Sequence, residues 1–189
     1  PLQMVSAGGG KPATISTVDM ASGEVGHWWP QILPDQKTVL FTVFMAASGI
    51  NDARIAALDL ATGKHRILMP GAQAKYLASG HLLYFHAGAF HVVPFDPVNL
   101  RATGEPTKVL ADAMPLDPLG NSQKPVAVSQ DGTVAYLSAT LHAEGQLAWL
   151  TPAGKVEALT VPPGRFRDIQ LSPDGRRLAT SRIESGTLG

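Results

Sequence analysis

Apolar residues along this chain gather into short runs, and the strongest are apolar on successive positions: Val39-Leu40-Phe41, Leu82-Leu83-Tyr84-Phe85 and Leu147-Ala148-Trp149-Leu150. Successive residues of a strand point to opposite sides of a sheet, so runs of this kind predict strands covered on both faces. Turn signals follow the runs. One series reads Leu33-Pro34-Asp35-Gln36, Ala78-Ser79-Gly80, Ser129-Gln130-Asp131-Gly132 and Ser172-Pro173-Asp174-Gly175; aligned on Asp35, Ser79, Asp131 and Asp174, its intervals are 44, 52 and 43 residues. A second series, Gly10-Lys11, Gly63-Lys64, Gly104-Glu105 and Gly154-Lys155, runs out of phase with it at intervals of 53, 41 and 50 residues. Glycine accepts the positive φ of tight hairpins, and aspartate caps such turns with its own carboxylate.

Two turn series sharing a period of about 45 place at least two hairpins in each period, which is the arithmetic of a four-stranded β-propeller blade. In the second complete unit the predicted strands lie near Ala74–Leu77, His81–His86, Phe90–Phe95 and Thr107–Leu110. Arg54 to Ala61 has good helix formers. Its counterparts Phe90–Phe95 and Gln146–Leu150 read as strands, and agreement across repeats favours a strand there as well.

With the strands of a blade lettered A to D from the centre outward, the Gly10-Lys11 turn joins C to D. The chain then begins with C near Leu2–Val5 and D near Thr14–Val18, and finishes with A near Asp168–Leu171 and B near Arg177–Ile183. The expected fold is all-β, a single β-propeller domain or propeller segment of four-stranded antiparallel blades. It holds four blades' worth of strands, with one blade split between the N- and C-termini; the blade parts fall at about 1–20, 27–70, 74–111, 123–161 and 165–189. The two halves are expected to complete one blade, within one chain or by self-association between copies; the alternative is an arc of a six- or seven-bladed propeller.

Composition agrees. Only 16% of the 189 residues are charged, against roughly 25% in an ordinary soluble domain, and 19 Gly and 15 Pro interrupt the chain; together these exclude a coiled coil, a long-helix bundle and a charged disordered tail. Cysteine is absent, which excludes thiol catalysis, Cys-ligated zinc and iron–sulfur clusters. The formal net charge is zero with no run of like charges, so nucleic acid and anionic membrane surfaces are not expected partners. The longest apolar stretch, Val39 to Ala47, is about half the length a membrane-spanning helix needs, and no membrane insertion is expected. A start at Pro1-Leu2-Gln3, without an initiator Met or signal segment, suggests a processed product or an excerpt of a longer protein.

The stretches His27-Trp28-Trp29-Pro30-Gln31-Ile32-Leu33-Pro34-Asp35, Val93-Pro94-Phe95-Asp96-Pro97, Thr103-Gly104-Glu105-Pro106 and Leu171-Ser172-Pro173-Asp174-Gly175-Arg176-Arg177-Leu178-Ala179 resemble the PD40 or TolB-type propeller repeat. Their order is similar to the propeller that follows the kinase domain in many bacterial eukaryotic-like serine/threonine kinases. That resemblance implies a propeller fold, a protein or small-molecule ligand and an extracytoplasmic or periplasmic location. It carries over no catalytic residue. The family's turn motif is intact only at Ser172-Pro173-Asp174-Gly175; Gln36 stands in place of Gly in the first repeat, and the Trp-Asp signature of WD40 repeats is absent.

Chemistry-bearing motifs are sparse. Gly10-Lys11-Pro12, Gly63-Lys64-His65 and Gly154-Lys155-Val156 lack the upstream Gly and the Ser/Thr of a phosphate-binding loop, and no Gly-x-Ser-x-Gly elbow, His-Arg-Asp or Asp-Phe-Gly is present. No cofactor and no catalytic residue is expected. Histidines 81, 86 and 91 suggest a metal, but His81 and His86 stand at odd spacing on one strand and so face opposite ways, and no metal site is expected from them. His65, just past a turn, receives no role.

The candidate ligand-binding face is the loop face at the inner strands, where His27, Trp28, Lys75, Lys124, Arg165 and Arg167 stand at or near strand A of successive repeats. Asn51-Asp52, His86, His142 and Glu144 are expected on the same face. Converging aromatic and cationic groups suit a peptide or an anionic ligand. In the alternative packing Trp28 or Trp29 wedges between blades and the charges are solvated. The expected function is therefore a noncatalytic interaction or sensor module. The alternatives are a propeller lyase or hydrolase with a metal in its channel, and a structural arc that closes by self-association.

Overall fold

The apolar runs become strands wherever the computed structural model describes them, which is over residues 1–46, 49–110, 126–129, 132–137, 146–151 and 154–183. Strands β1 (Gln3–Met4) and β2 (Ala13–Thr14) form a short antiparallel pair. One 3-10 turn, Met20–Ser22, follows. Asp19 caps it by accepting from the Ala21 and Ser22 N–H groups, and Gly23 ends it at φ 84°.

The first complete blade is β3 (Glu24–Ile32), β4 (Thr38–Met45), β5 (Gly49–Asp59) and β6 (His65–Pro70), hydrogen-bonded in chain order. The second is β7 (Ala72–Tyr76), β8 (His81–His86), β9 (Ala89–Asp96) and β10 (Arg101–Ala102), with β11 (Thr107–Leu110) also pairing to β9. The third is β12 (Val126–Val128), β13 (Val134–Leu137), β14 (Leu147–Leu150) and β15 (Val156–Ala158). Strands β16 (Arg165–Leu171) and β17 (Leu178–Ile183) pair with each other. The fold is an all-β propeller with four blades' worth of strands. Arg54 to Asp59 lies in strand β5, as agreement across the repeats predicts. Strand β10 was not expected, and β1 and β2 are shorter than their predicted ranges.

The described residues fall into two compact units, one within Pro1–Tyr76 and Gly80–Val109, the other within Leu77–Ser79 and Leu110–Gly189. In the first unit, five successive β4 residues, Val39 to Val43, are buried, so both faces of that strand are covered. One face carries Val39, Phe41 and Val43 against Ala56, Leu58 and Leu2, the last from beside the β1–β2 pair. Leu40 on the other face joins Ile55 and Ala57 in a cluster with Leu82, Tyr84 and Val93 of the second blade. Each fully buried Leu, Ile or Phe contributes about 1.5–3 kcal/mol, so this two-sided cover is the main reason that a low-charge sequence settles into strands. The second unit repeats the logic, with Ala135, Leu137 and Leu147 packed against Phe166, Ile169 and Leu171.

The turns explain the Asp-Gly spacing. Asp35 Oδ1 accepts from the N–H groups of Lys37 and Thr38, both at 3.0 Å, while Oδ2 accepts from the Thr38 hydroxyl at 2.7 Å. Gln36, in the place of the family's Gly, adopts φ 57°. Asp59, Asp96 and Asp174 close their turns in the same way, through Ala61 and Thr62, Val98 and Asn99, and Arg176 respectively. The Asp131 turn lies outside the described residues. Among the described residues no helix is long and apolar enough to cross a membrane.

Candidate functional site

All three described inner strands that carry candidate residues share one irregularity. Strand β3 pairs Trp28 with Thr42 and then Gln31 with Leu40, so three steps on β3 face two on β4. Strand β7 does the same between Ala72, opposite Phe85, and Lys75, opposite Leu83. Strand β16 repeats it between Phe166, opposite Arg182, and Ile169, opposite Thr180. Such bulges bend a strand and re-aim its side chains, and they concentrate near sites of function. Trp29 and Gln73, the first residues inside their bulges, take φ 52° and 50°.

The ladder therefore sets the equivalences. Trp28 and Ala72 share a rung, as do Trp29 and Gln73, and Lys75 matches Gln31; in β16 the bulge lies one rung further from the turn, between Phe166 and Ile169. Lys75 thus stands at the level of Gln31 and not of Trp28, four residues before its turn residue Ser79 as Gln31 is before Asp35. The Gln73 bulge is held by its N–H, which donates to the hydroxyl of fully buried Thr42 at 2.9 Å.

Trp28 is 40% exposed and meets Phe44 edge to face at 6.1 Å; Trp29 tilts on the same ring at 5.5 Å. The Trp28 indole folds over Gly26, where an added Cβ would stand 2.7 Å from Nε1. The Trp29 Nε1 atom is buried without a hydrogen-bond partner among the described residues. Lys75 is half-buried on β7 and Arg165 is exposed at the start of β16. Lys124, His142 and Glu144 lie outside the described residues, as do the side chains of Arg167 and Asn51.

His27 departs from the expectation of a loop-face ligand residue. It is buried, T-shaped against Phe41 at 4.8 Å, and its Nδ1 lies 2.8 Å from Ser16 Oγ, which itself accepts from the Leu2 N–H at 2.8 Å. On the other side of the ring, Nε2 is 3.0 Å from Glu24 Oε2. His65 Nε2 reaches Glu24 Oε1 at 2.9 Å, and the Asp19 N–H donates to Oε2 at 2.8 Å. An odd spacing of three would place Glu24 and His27 on opposite faces of a regular strand. A register shift between Glu24 and Gly26 puts them together.

Burial pushes the Glu24 carboxyl upward, but the hydrogen bonds from Asp19, His65 and His27 outweigh it and hold the group below the ordinary glutamate value. Burial holds the His27 imidazole below its ordinary value despite the pull of Glu24. The cluster of Ser16, Glu24, His27 and His65 was not foreseen. The only signal in the sequence was Glu24-x-x-His27, and His65 lies far along the chain. His86 and His91 approach each other, with centroids 6.3 Å apart, and His91 Nδ1 is buried without a partner among the described residues. A cavity of about 320 Å³ lies beside His65, lined by Asp59, Lys64 and Arg66 and by the apolar Leu58 and Leu100.

No protein-family model matches the chain, and no curated protein sequence does. Among solved structures it is similar to TolB from Acinetobacter baumannii, at 19% identity and a TM-score of 0.63 over 98% of this chain and 43% of that one. It is also similar to a puromycin hydrolase (17% identity, TM-score 0.64, 84% of this chain and 25% of that one). A third likeness is to a β-propeller domain from Myceliophteria thermophila (15% identity, TM-score 0.55, 89% of this chain and 55% of that one). The chain spans less than half the length of the first two. At these identities the likeness is one of propeller fold.

Proposed function

We propose that this chain is a noncatalytic binding module that presents its inner-strand bulges to a peptide segment of a partner protein. The observation that carries this reading is the bulge at Trp28–Trp29, where a half-exposed indole stands beside a buried indole N–H with no partner among the described residues. Exposed Trp set in a packed surround is the side chain most often found anchoring an interface. Gln73, inside the matching bulge of β7, and Lys75 supply polar and cationic contacts. Arg165, Lys124 and Arg167 are included in the proposal on sequence grounds. The resemblance to propellers that follow bacterial kinase domains adds the proposal that the module is the ligand-facing part of a larger receptor-like protein.

Selection of a displayed peptide library on the intact chain tests the reading. Enriched peptides should bind the Trp28→Ala variant at least ~10-fold more weakly, as expected for an anchoring aromatic. Peptides that bind both proteins equally, or no enrichment at all, would overturn it.

Self-association is a second reading, favoured by one observation: β1–β2 and β16–β17 are two-stranded sheets, whereas the internal sheets have four or more strands. Sedimentation equilibrium decides it, and a mass of one chain across the accessible concentration range would exclude it.

A further inference from the structure

We propose that Glu24, His27 and His65 form a binding site for a divalent transition ion, with zinc the best match. Two imidazoles and one carboxylate are the donor types of zinc sites that keep an open coordination position. Magnesium and calcium prefer all-oxygen shells, and the soft-metal alternatives need thiolates, of which the chain has none. The ligand atoms of the three side chains lie within 4.8 Å of one another. Donors about 2.0–2.1 Å from a tetrahedral ion stand roughly 3.3 Å apart. The His27–Glu24 and His65–Glu24 separations of 3.0 and 2.9 Å, to the two oxygens of the carboxylate, are close to that, so the ion enters by a modest rearrangement of the three side chains.

The surroundings have the character of a supporting shell. Metal-bound histidines use their second ring nitrogen to donate to an oxygen, which fixes the ring. His27 Nδ1 has Ser16 Oγ at 2.8 Å, and the Asp19 N–H holds the Glu24 carboxylate at Oε2. In the metal-free network the Ser16 hydroxyl accepts from Leu2 and offers its hydrogen to His27 Nδ1, leaving the imidazole proton on Nε2 toward Glu24. With the ion bound, Nε2 gives its lone pair to the metal and the proton resides on Nδ1, donating to Ser16. Ser16 Oγ has a second acceptor site for this bond.

Charge points the same way. Glu24 is 6% exposed, and among the described residues no Lys or Arg lies within ion-pair distance of it. A buried carboxylate facing two imidazoles is a site that a cation completes. His65, whose side chain is 14% exposed, is the most accessible of the three and gives the ion its approach from solvent.

The test uses untagged, chelator-stripped protein. Cobalt(II) should produce the visible absorption of a low-coordinate nitrogen–oxygen site, with saturation at one equivalent, and zinc should abolish it. Calorimetric titration with zinc should show His65→Ala and Glu24→Gln at least ~10-fold weaker than the parent, and Ser16→Ala about 10-fold weaker, as for loss of a supporting hydrogen bond. Nitrogen-15 spectra should place the His27 proton on Nδ1 with zinc and on Nε2 without it. Circular dichroism establishes that each variant is folded. Should Glu24→Gln fail to fold, His65→Ala, the most exposed of the three, carries the comparison. Absence of saturable cobalt or zinc binding by the parent, or equal zinc affinity in His65→Ala, would overturn the proposal.

Discussion

The side-chain amide of Gln31 pairs with the main chain of Tyr76 as a neighbouring strand would: Oε1 accepts from the Tyr76 N–H at 2.7 Å, and Nε2 donates to the Tyr76 carbonyl at 3.1 Å. The two residues belong to the inner strands of successive blades, β3 and β7. One side chain thus satisfies two main-chain groups that the blades' own ladders leave over. A buried donor or acceptor without its partner costs about 1–3 kcal/mol.

Gln31→Leu should therefore destabilise the protein by about 2 kcal/mol, read as a lower urea midpoint with an unchanged denaturant slope. Gln31→Glu keeps the acceptor but faces the Tyr76 carbonyl with a carboxylate oxygen, and it should be no better than Gln31→Leu at neutral pH.

Gln36→Gly should stabilise. Gln36 holds φ 57°, and a left-handed conformation costs an L-residue about 1–2 kcal/mol, partly offset by the larger unfolded-state freedom of glycine. Its side chain returns only a 3.4 Å hydrogen bond to Leu33. A gain of about 0.5–1 kcal/mol is expected, measured by the same urea titration.

Acid should weaken the turns. Asp35 is held below the ordinary aspartate value of 3.8 first by the Lys37 N–H, Asp96 first by the Asn99 side chain and Asp174 first by the Ser172 hydroxyl. A carboxyl with a lowered pKa in the folded state stabilises it above the ordinary value, and that contribution disappears as the pH falls through the lowered value. The melting temperature should drop as the pH goes from about 5 to about 2. A variant carrying Asp35→Asn and Asp96→Asn keeps amide caps without titration, and it should melt lower at neutral pH but fall less steeply in acid.

Gly26→Ala should displace Trp28 without unfolding the chain, because the new methyl would occupy the space of the indole Nε1 while the strand retains its ladder. Acrylamide should quench the tryptophan emission more strongly than in the parent, with the urea midpoint moving by less than about 0.5 kcal/mol in free energy. Peptides selected through Trp28 should lose affinity in step with the quenching.

Strands and turns were legible in the sequence because each had a local cause: Val39 to Val43 had to be covered on both sides, and Asp35 and Asp174 had to cap something. The bulges were not legible. One extra residue in β3 leaves the hydrophobic run and the turn spacing nearly unchanged, yet it sets Trp28 and Gln31, three apart, against Thr42 and Leu40, two apart. The same blindness hid the polar cluster, since a shift at Val25 brings Glu24 beside His27 and only the blade's full width brings His65 to both.

Trp29 and Gln73 stand at one rung, inside matching bulges, and share almost no chemistry. The pairing register passes around that rung, so the ladder asks nothing of the side chain that stands there. A blade built this way divides its inner strand into positions that must fit and one position that is open to choice, and what the module recognises could be rewritten at those few positions with the fold left intact.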